Sequence, residues 1–189
     1  MPSPKITLAR KSGFKAFIKN MLGVGRLAAY VGVPASTAQD RADQLLEMAG
    51  SKGGKRRRRY LEKAAKTDVN NAELLFIHTK GSPARNIPAR PVLQPAIEAE
   101  DNKERIVKQL DVMIQAQLAG DREGAEKGAT RAALAGQNAA RRWFTDPRNN
   151  WAPDKPETIR RKGSDKPLID TGALRAAIQG VVVDEKEQT

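Results

Sequence analysis

The sequence predicts an α+β fold: a small, mostly antiparallel sheet packed with two long central helices and an N-terminal amphipathic helix, joined by extended Pro-rich loops. Three observations carry this expectation. Residues 92–118 and 121–144 hold helical periodicity over long stretches, residues 26–33 and 178–183 read as short strands, and prolines crowd residues 79–91 and 146–156. A chain of 189 residues is expected to be a single domain, here with a flexible basic insertion at about 50–60.

Taken in order, Leu8, Phe14, Phe17, Ile18 and Leu22 recur at spacings near three and four, which predicts an amphipathic helix with a basic outer face that Gly23 and Gly25 end. Residues 26–33 read as a strand closed by Pro34, after which Ser36 or Thr37 caps a short helix through Met48. Residues 61–65 and 73–78 are short helical pieces. Gly81, Pro83, Pro88 and Pro91 make residues 79–91 an extended, stiff loop. Ile97, Val107, Leu110, Ile114 and Leu118 then line one side of a helix that tolerates Pro95 in its first turn. Gly120 breaks that helix and Asp121 caps the next, which runs to about Phe144. It carries Ala125, Ala129, Ala132, Gly136, Ala139 and Trp143 at alternating spacings of four and three. A stripe of small residues admits another backbone closely, either in a hairpin with the preceding helix or in an intersubunit seam. Pro147, Pro153 and Pro156 stiffen a second loop bearing Trp151. A helical turn at 158–162, another through Leu174 and a strand near 178–183 complete the chain.

Composition narrows the chemistry. There is no Cys, and His78 is the only His. These facts exclude disulfide scaffolds, thiolate zinc sites, thiol nucleophiles, His-based metal clusters and a Ser-His-Asp triad within one chain. No cofactor and no enzymatic activity are expected. The hydrophobic fraction is 39% and the aromatic fraction 4%, so the core must rest on Ala, Leu, Ile and Val, with part of the burial expected from other subunits. No run approaches the roughly 18 apolar residues that span a bilayer, and no apolar region follows the N-terminal cations. A soluble, unexported protein without a membrane partner is expected.

The formal charge of +12 is uneven: residues 1–60 hold 13 Lys and Arg against 3 Asp and Glu, and residues 61–189 hold 21 against 19. The centre of the basicity is Lys52, Lys55, Arg56, Arg57, Arg58 and Arg59, set among glycines, which predicts a solvated loop. Adjacent cations repel one another unless an anion lies nearby. Contact with nucleic-acid phosphate or an acidic protein surface is one use; a merely solubilising loop is the other, since only Tyr60 is available to stack on bases.

Two catalytic motifs fail on inspection. Residues 50–55 resemble a phosphate-binding loop, but the spacing is one residue short and Arg56 stands where Ser or Thr must reach magnesium. Residues 168–173, Leu-Ile-Asp-Thr-Gly-Ala, read like an aspartic-protease strand, whose chemistry needs two carboxylates sharing a proton. The 17 residues after Gly172 are too few for the sheet of the dimeric retroviral enzymes. Asp170 is expected instead to cap the turn beginning at Gly172 through backbone N–H bonds, with Gly172 adopting a backbone geometry that other residues resist. His78 is expected as a helix-end structural residue, and Trp143 and Trp151 as packing anchors.

The same peptides, in order, carry a resemblance. Residues 77–83 (Ile-His-Thr-Lys-Gly-Ser-Pro), 87–93 (Ile-Pro-Ala-Arg-Pro-Val-Leu), the two helices, 151–153 (Trp-Ala-Pro) through 158–165, and 167–175 (Pro-Leu-Ile-Asp-Thr-Gly-Ala-Leu-Arg) resemble the tail-completion, or virion-morphogenesis, family of tailed bacteriophages. Residues 30–34 resemble its early strand. Val92 stands where the family usually has Phe, Thr79-Lys80 where it often has an acidic-aromatic pair, and the stretch around the basic loop is inserted.

What the resemblance implies is a structural virion protein without catalytic residues, a ring of six copies at the head–tail junction, found in the host cytoplasm during assembly. Its partners would be copies of itself, neighbouring neck, connector, tail-tube or terminator proteins, and genomic DNA in the channel. Gly81, Pro88, Arg90, Pro91, Trp151, Asp170, Thr171, Gly172, Leu174 and Arg175 are the family-motif positions. Arg90 is the leading interface candidate, because a guanidinium forks onto a carboxylate or onto helix-end carbonyls, while Pro88 and Pro91 pre-order the loop for docking. Six copies would turn the basic first third into a cationic belt. The alternative is a nucleic-acid-binding module acting through residues 52–59.

Overall fold

A computed structural model describes residues 27–34, 41–51, 54–67 and 69–184, together with Ile18. The expected N-terminal amphipathic helix, its glycine stop, the cap at Ser36 or Thr37, and Lys52 lie outside these residues, apart from Ile18, which is helical.

The elements run β1 (Leu27–Gly32), α1 (Arg41–Ser51), α2 (Lys55–Ala65), α3 (Asn71–Lys80), α4 (Leu93–Glu98), α5 (Glu100–Ala119), α6 (Arg122–Trp143), α7 (Pro156–Lys162), α8 (Ala173–Ala177) and β2 (Gln179–Asp184). The molecule is mostly helical with one small antiparallel sheet, an α+β fold as the sequence predicts. β1 pairs with β2 from Leu27 opposite Asp184 to Gly32 opposite Gln179, joining two apolar, β-branched runs from the two ends of the chain.

α6 is the axis of the fold. Gly120, at φ 81°, ends α5 in a Schellman arrangement: Asp121 N–H donates to Ala116 O and Gly120 N–H to Gln117 O. Asp121 then caps α6 by accepting from Gly124 N–H at 2.9 Å. The resulting hairpin uses the small-residue stripe within the chain: Ala125, Ala129, Ala132, Gly136, Ala139 and Trp143 are all buried. A Cβ on Gly128 would stand 2.7 Å from the Met113 backbone, and one on Gly136 2.6 Å from Val31 Cγ2. α6 is therefore clasped between α5 and the sheet, a use of two of its faces that a single stripe does not predict.

The helix expected over residues 92–118 is two. Ala99, at ψ 126°, closes α4 and opens α5. The buried Asn102 side chain holds the break by donating from Nδ2 to Ala96 O at 2.9 Å. At the C-terminal end of α6, Phe144, Trp143 and Ala140 join Leu75, Val92, Ala96, Leu174 and Ile178 in the main core. Trp151 meets Phe144 edge-on with ring centroids 5.9 Å apart, the arrangement aromatic quadrupoles favour.

The largest departure from expectation is α2. Residues 55–59, expected as loop, form its first turns. Arginine is a good helix former, and the fold supplies what five adjacent cations lack: Arg58 pairs with Glu62 one turn on at 2.8 Å, and Arg57 reaches Asp170 at 2.9 Å.

Candidate functional site

The segments 77–83, 87–93, 151–165 and 167–175 converge at one end of the molecule. α3 begins with a complete capping box, Asn70 accepting from Glu73 N–H and Glu73 accepting from Asn70 N–H, and delivers His78 to its last turn. Gly81 follows at φ 72°, where a Cβ would stand 2.8 Å from Ala89 N. Only glycine lets the chain fold back so closely. That reversal brings Arg90 N–H onto His78 O at 2.6 Å.

Arg90 is buried and forks as its chemistry predicts, but onto its own chain. Its Nη2 lies 2.9 Å from Asp154 Oδ1 and donates to Ala152 O at 2.7 Å. Lys162 Nζ lies 2.5 Å from Asp154 Oδ2. All three side chains are 6–7% exposed, so the expectation of Arg90 as an interface residue is corrected: it is the centre of an internal ion cluster. Pro88 and Pro91 are exposed, and Pro91 O accepts from Trp151 Nε1 at 3.2 Å, which ties the two stiff loops to each other.

Asp170 does not cap the following turn. It receives Arg57 Nη2, whose Nη1 also donates to Lys162 O at 3.1 Å. The local N–H bond goes instead to Thr171 Oγ1, which accepts from Ala173 N–H at 3.2 Å, and Gly172 sits at φ 84°, the left-handed geometry expected of it. Leu174 is buried in the core and Arg175 half-buried beside it.

Two basic segments meet here that sequence separates by about a hundred residues. The first turns of α2 bring Lys55, Arg56, Arg57, Arg58 and Arg59; the last turn of α7 brings Arg160, Arg161 and Lys162. Between them runs a groove of about 710 Å³ in which, among the described residues, Glu157 is the one acidic lining residue against five cations. Arg161 stacks over the Tyr60 ring at 5.1 Å. Cations in the first turn of α2 oppose the helix dipole, whereas those of α7 complement it.

The groove adjoins a smaller cavity of about 230 Å³ whose lining includes Arg41, Asn71, His78, Arg90, Asp154, Arg161, Lys162 and Asp170. Burial, with Arg90 adding to it and Asp154 opposing it, pushes the His78 pKa below its ordinary value, so the ring is neutral near pH 7. Among the described residues no three His, Asp or Glu side chains gather as a metal site, and no helix is long and apolar enough to cross a membrane. Asp154, Asn71, Arg41 and the α7 cations escaped sequence reasoning. Only the charge run at residues 160–162 offered a signal, and its use depends on an element far away in the chain. No protein-family model, curated protein or solved structure matches this chain.

Proposed function

We propose that the chain is a structural, non-catalytic protein of the head–tail junction of a tailed bacteriophage, a tail-completion component that assembles with copies of itself into a ring joining tail to head. The observation that carries this reading is the convergence of the four resembling segments into one ion-paired and packed unit. The peptides that resemble that family share partners in space: Arg90 pairs with Asp154, Pro91 accepts from Trp151, and Leu174 and Val92 belong to one core cluster. Asp170, the carboxylate a protease would need, is engaged by Arg57. Phe76, Val107 and Leu134 remain 45–64% exposed, apolar side chains available to neighbouring subunits. The test is mass by light scattering, alone and with a tail-tube or neck component, at low and high salt. A discrete ring supports the reading; a strict monomer that ignores the partner removes it.

A second reading, a nucleic-acid-binding module, rests on a separate observation, the cationic groove between α2 and α7. Its signature is affinity for DNA that falls steeply with salt, with no assembly.

A further inference from the structure

The cavity beside the groove has features that neither reading uses. Its lining includes Asn71, fully buried, with both Oδ1 and Nδ2 lacking a hydrogen-bond partner among the described residues. His78 Nδ1 and Arg90 Nε, both buried, likewise have none. Folded chains rarely leave buried amide, imidazole and guanidinium groups unsatisfied together. Here all three residues line one cavity.

The charge of that space is positive. Arg41, Arg90, Arg161 and Lys162 line it against Asp154 and Asp170. Both carboxylates are already engaged, Asp154 by Arg90 and Lys162 and Asp170 by Arg57. Arg161 stands exposed at the mouth, stacked on Tyr60 and without a carboxylate among the described residues. Leu168, on the wall, is held at φ 59°, a left-handed conformation that a branched residue adopts only when its surroundings enforce it.

The geometry points to a binding site for a phosphoryl group, as inorganic phosphate or a phosphomonoester, with Arg161 and Arg41 holding the oxyanion and Asn71 bonding it through its amide. Guanidinium forks match tetrahedral oxyanions. Asn71 presents a donor and an acceptor side by side, so its complement must accept and donate together. A singly protonated phosphate does both, whereas a halide or an ionised carboxylate satisfies Nδ2 alone. A cavity of about 230 Å³ is below the roughly 300–1,000 Å³ of drug-sized sites, which suits a phosphoryl group with a short substituent. The substituent can leave along the groove, since Tyr60, Arg161 and Lys162 line both cavity and groove. The phosphoryl group therefore comes either from a free small phosphate or from the 5′ end of a nucleic acid lying along α2 and α7.

His78 is the only histidine, so its imidazole carbon-bound protons give isolated NMR signals from the cavity wall. The full chain is titrated with inorganic phosphate at constant ionic strength, chloride serving as the control. The expected result is a saturable His78 shift with phosphate alone. Arg161→Gln, a change at the exposed mouth that leaves the core intact, should weaken the affinity about ten- to a hundredfold, the scale of a charge-assisted hydrogen bond. Asn71→Ala should weaken it as well, and its melting curve reports whether it folds. Equal shifts with chloride, no shift at millimolar phosphate, or an Arg161→Gln protein with unchanged affinity would each overturn the site. The source follows from a short oligonucleotide with and without a 5′ phosphate. Binding of the phosphorylated form alone, displaced by inorganic phosphate, assigns the nucleic-acid end; binding of inorganic phosphate and of neither oligonucleotide assigns a free small phosphate.

Discussion

A single imidazole makes the proton chemistry of this chain unusually easy to follow. His78 is neutral in the folded protein because burial and Arg90 disfavour its charge more than Asp154 favours it. Its folded pKa lies below the unfolded value of about 6.5, so the unfolded chain binds the proton first as pH falls. Stability is full above about pH 6.5 and declines toward the lower folded value. Melting temperature should therefore drop between pH 7.5 and 5.5, and His78→Gln should flatten that slope; parallel slopes for the two proteins would assign the dependence elsewhere. The neighbouring Arg90 is a folding residue. Arg90→Ala leaves Asp154 and Lys162 buried without their third partner, a change that costs about 3–5 kcal/mol in comparable clusters. The urea midpoint should fall sharply, whereas a normal midpoint combined with failed assembly would restore an interface role. The fork itself was legible in the sequence, because it belongs to the guanidinium. Its acceptors were not, because Ala152 and Asp154 lie more than sixty residues away and no local pattern encodes that approach.

At the scale of elements, glycine contacts rank the packing of α6. Gly128→Ala drives a Cβ into the Met113 backbone at 2.7 Å, and Gly180→Ala drives one to 2.2 Å from Ala133 O. Neither neighbour is a movable side-chain tip, so overpacking should cost roughly 1–3 kcal/mol at each site, with Gly180→Ala the worse. Gly136→Ala meets only Val31 Cγ2, and the gain in helix propensity of up to about 1 kcal/mol offsets much of that strain. The expected order of urea midpoints is wild type close to Gly136→Ala, then Gly128→Ala, then Gly180→Ala; a Gly128→Ala protein as stable as wild type would mean that α5 and α6 pack less closely. The hairpin was legible because Gly120 and Asp121 punctuate two long periodic runs, and a small-residue stripe announces close approach. α2 was hidden by its own charge, since a run of cations reads as solvated until Asp170 and Glu62 are known to face it. Likewise, nothing in the 92–118 pattern marks Ala99 as a break, because the Asn102 bond that holds it depends on a carbonyl already inside the fold.

For the molecule as a whole, the cationic groove gives a graded prediction. If DNA is the partner, log affinity should fall linearly with log salt, and each of Arg56→Ala and Arg160→Ala should lower the slope by about 0.9 without changing the preferred sequence. An unchanged slope would place the contact on another surface. The ring reading predicts instead a mass that survives high salt, since exposed apolar residues such as Phe76 and Val107 associate without counterion release. The pairing of Leu27 with Asp184 also governs the order in which the molecule can be made. Its loop-closure entropy is met only when nearly the whole described chain is available. On the ribosome the α5–α6 hairpin, built from near neighbours, can close first. β1 precedes that hairpin in the chain and its strand partner follows it, so the ladder is made only after the hairpin has emerged. The sheet is thus the later step: the face of α6 that Val31 and Gly180 approach is fully covered only once β2 has joined β1.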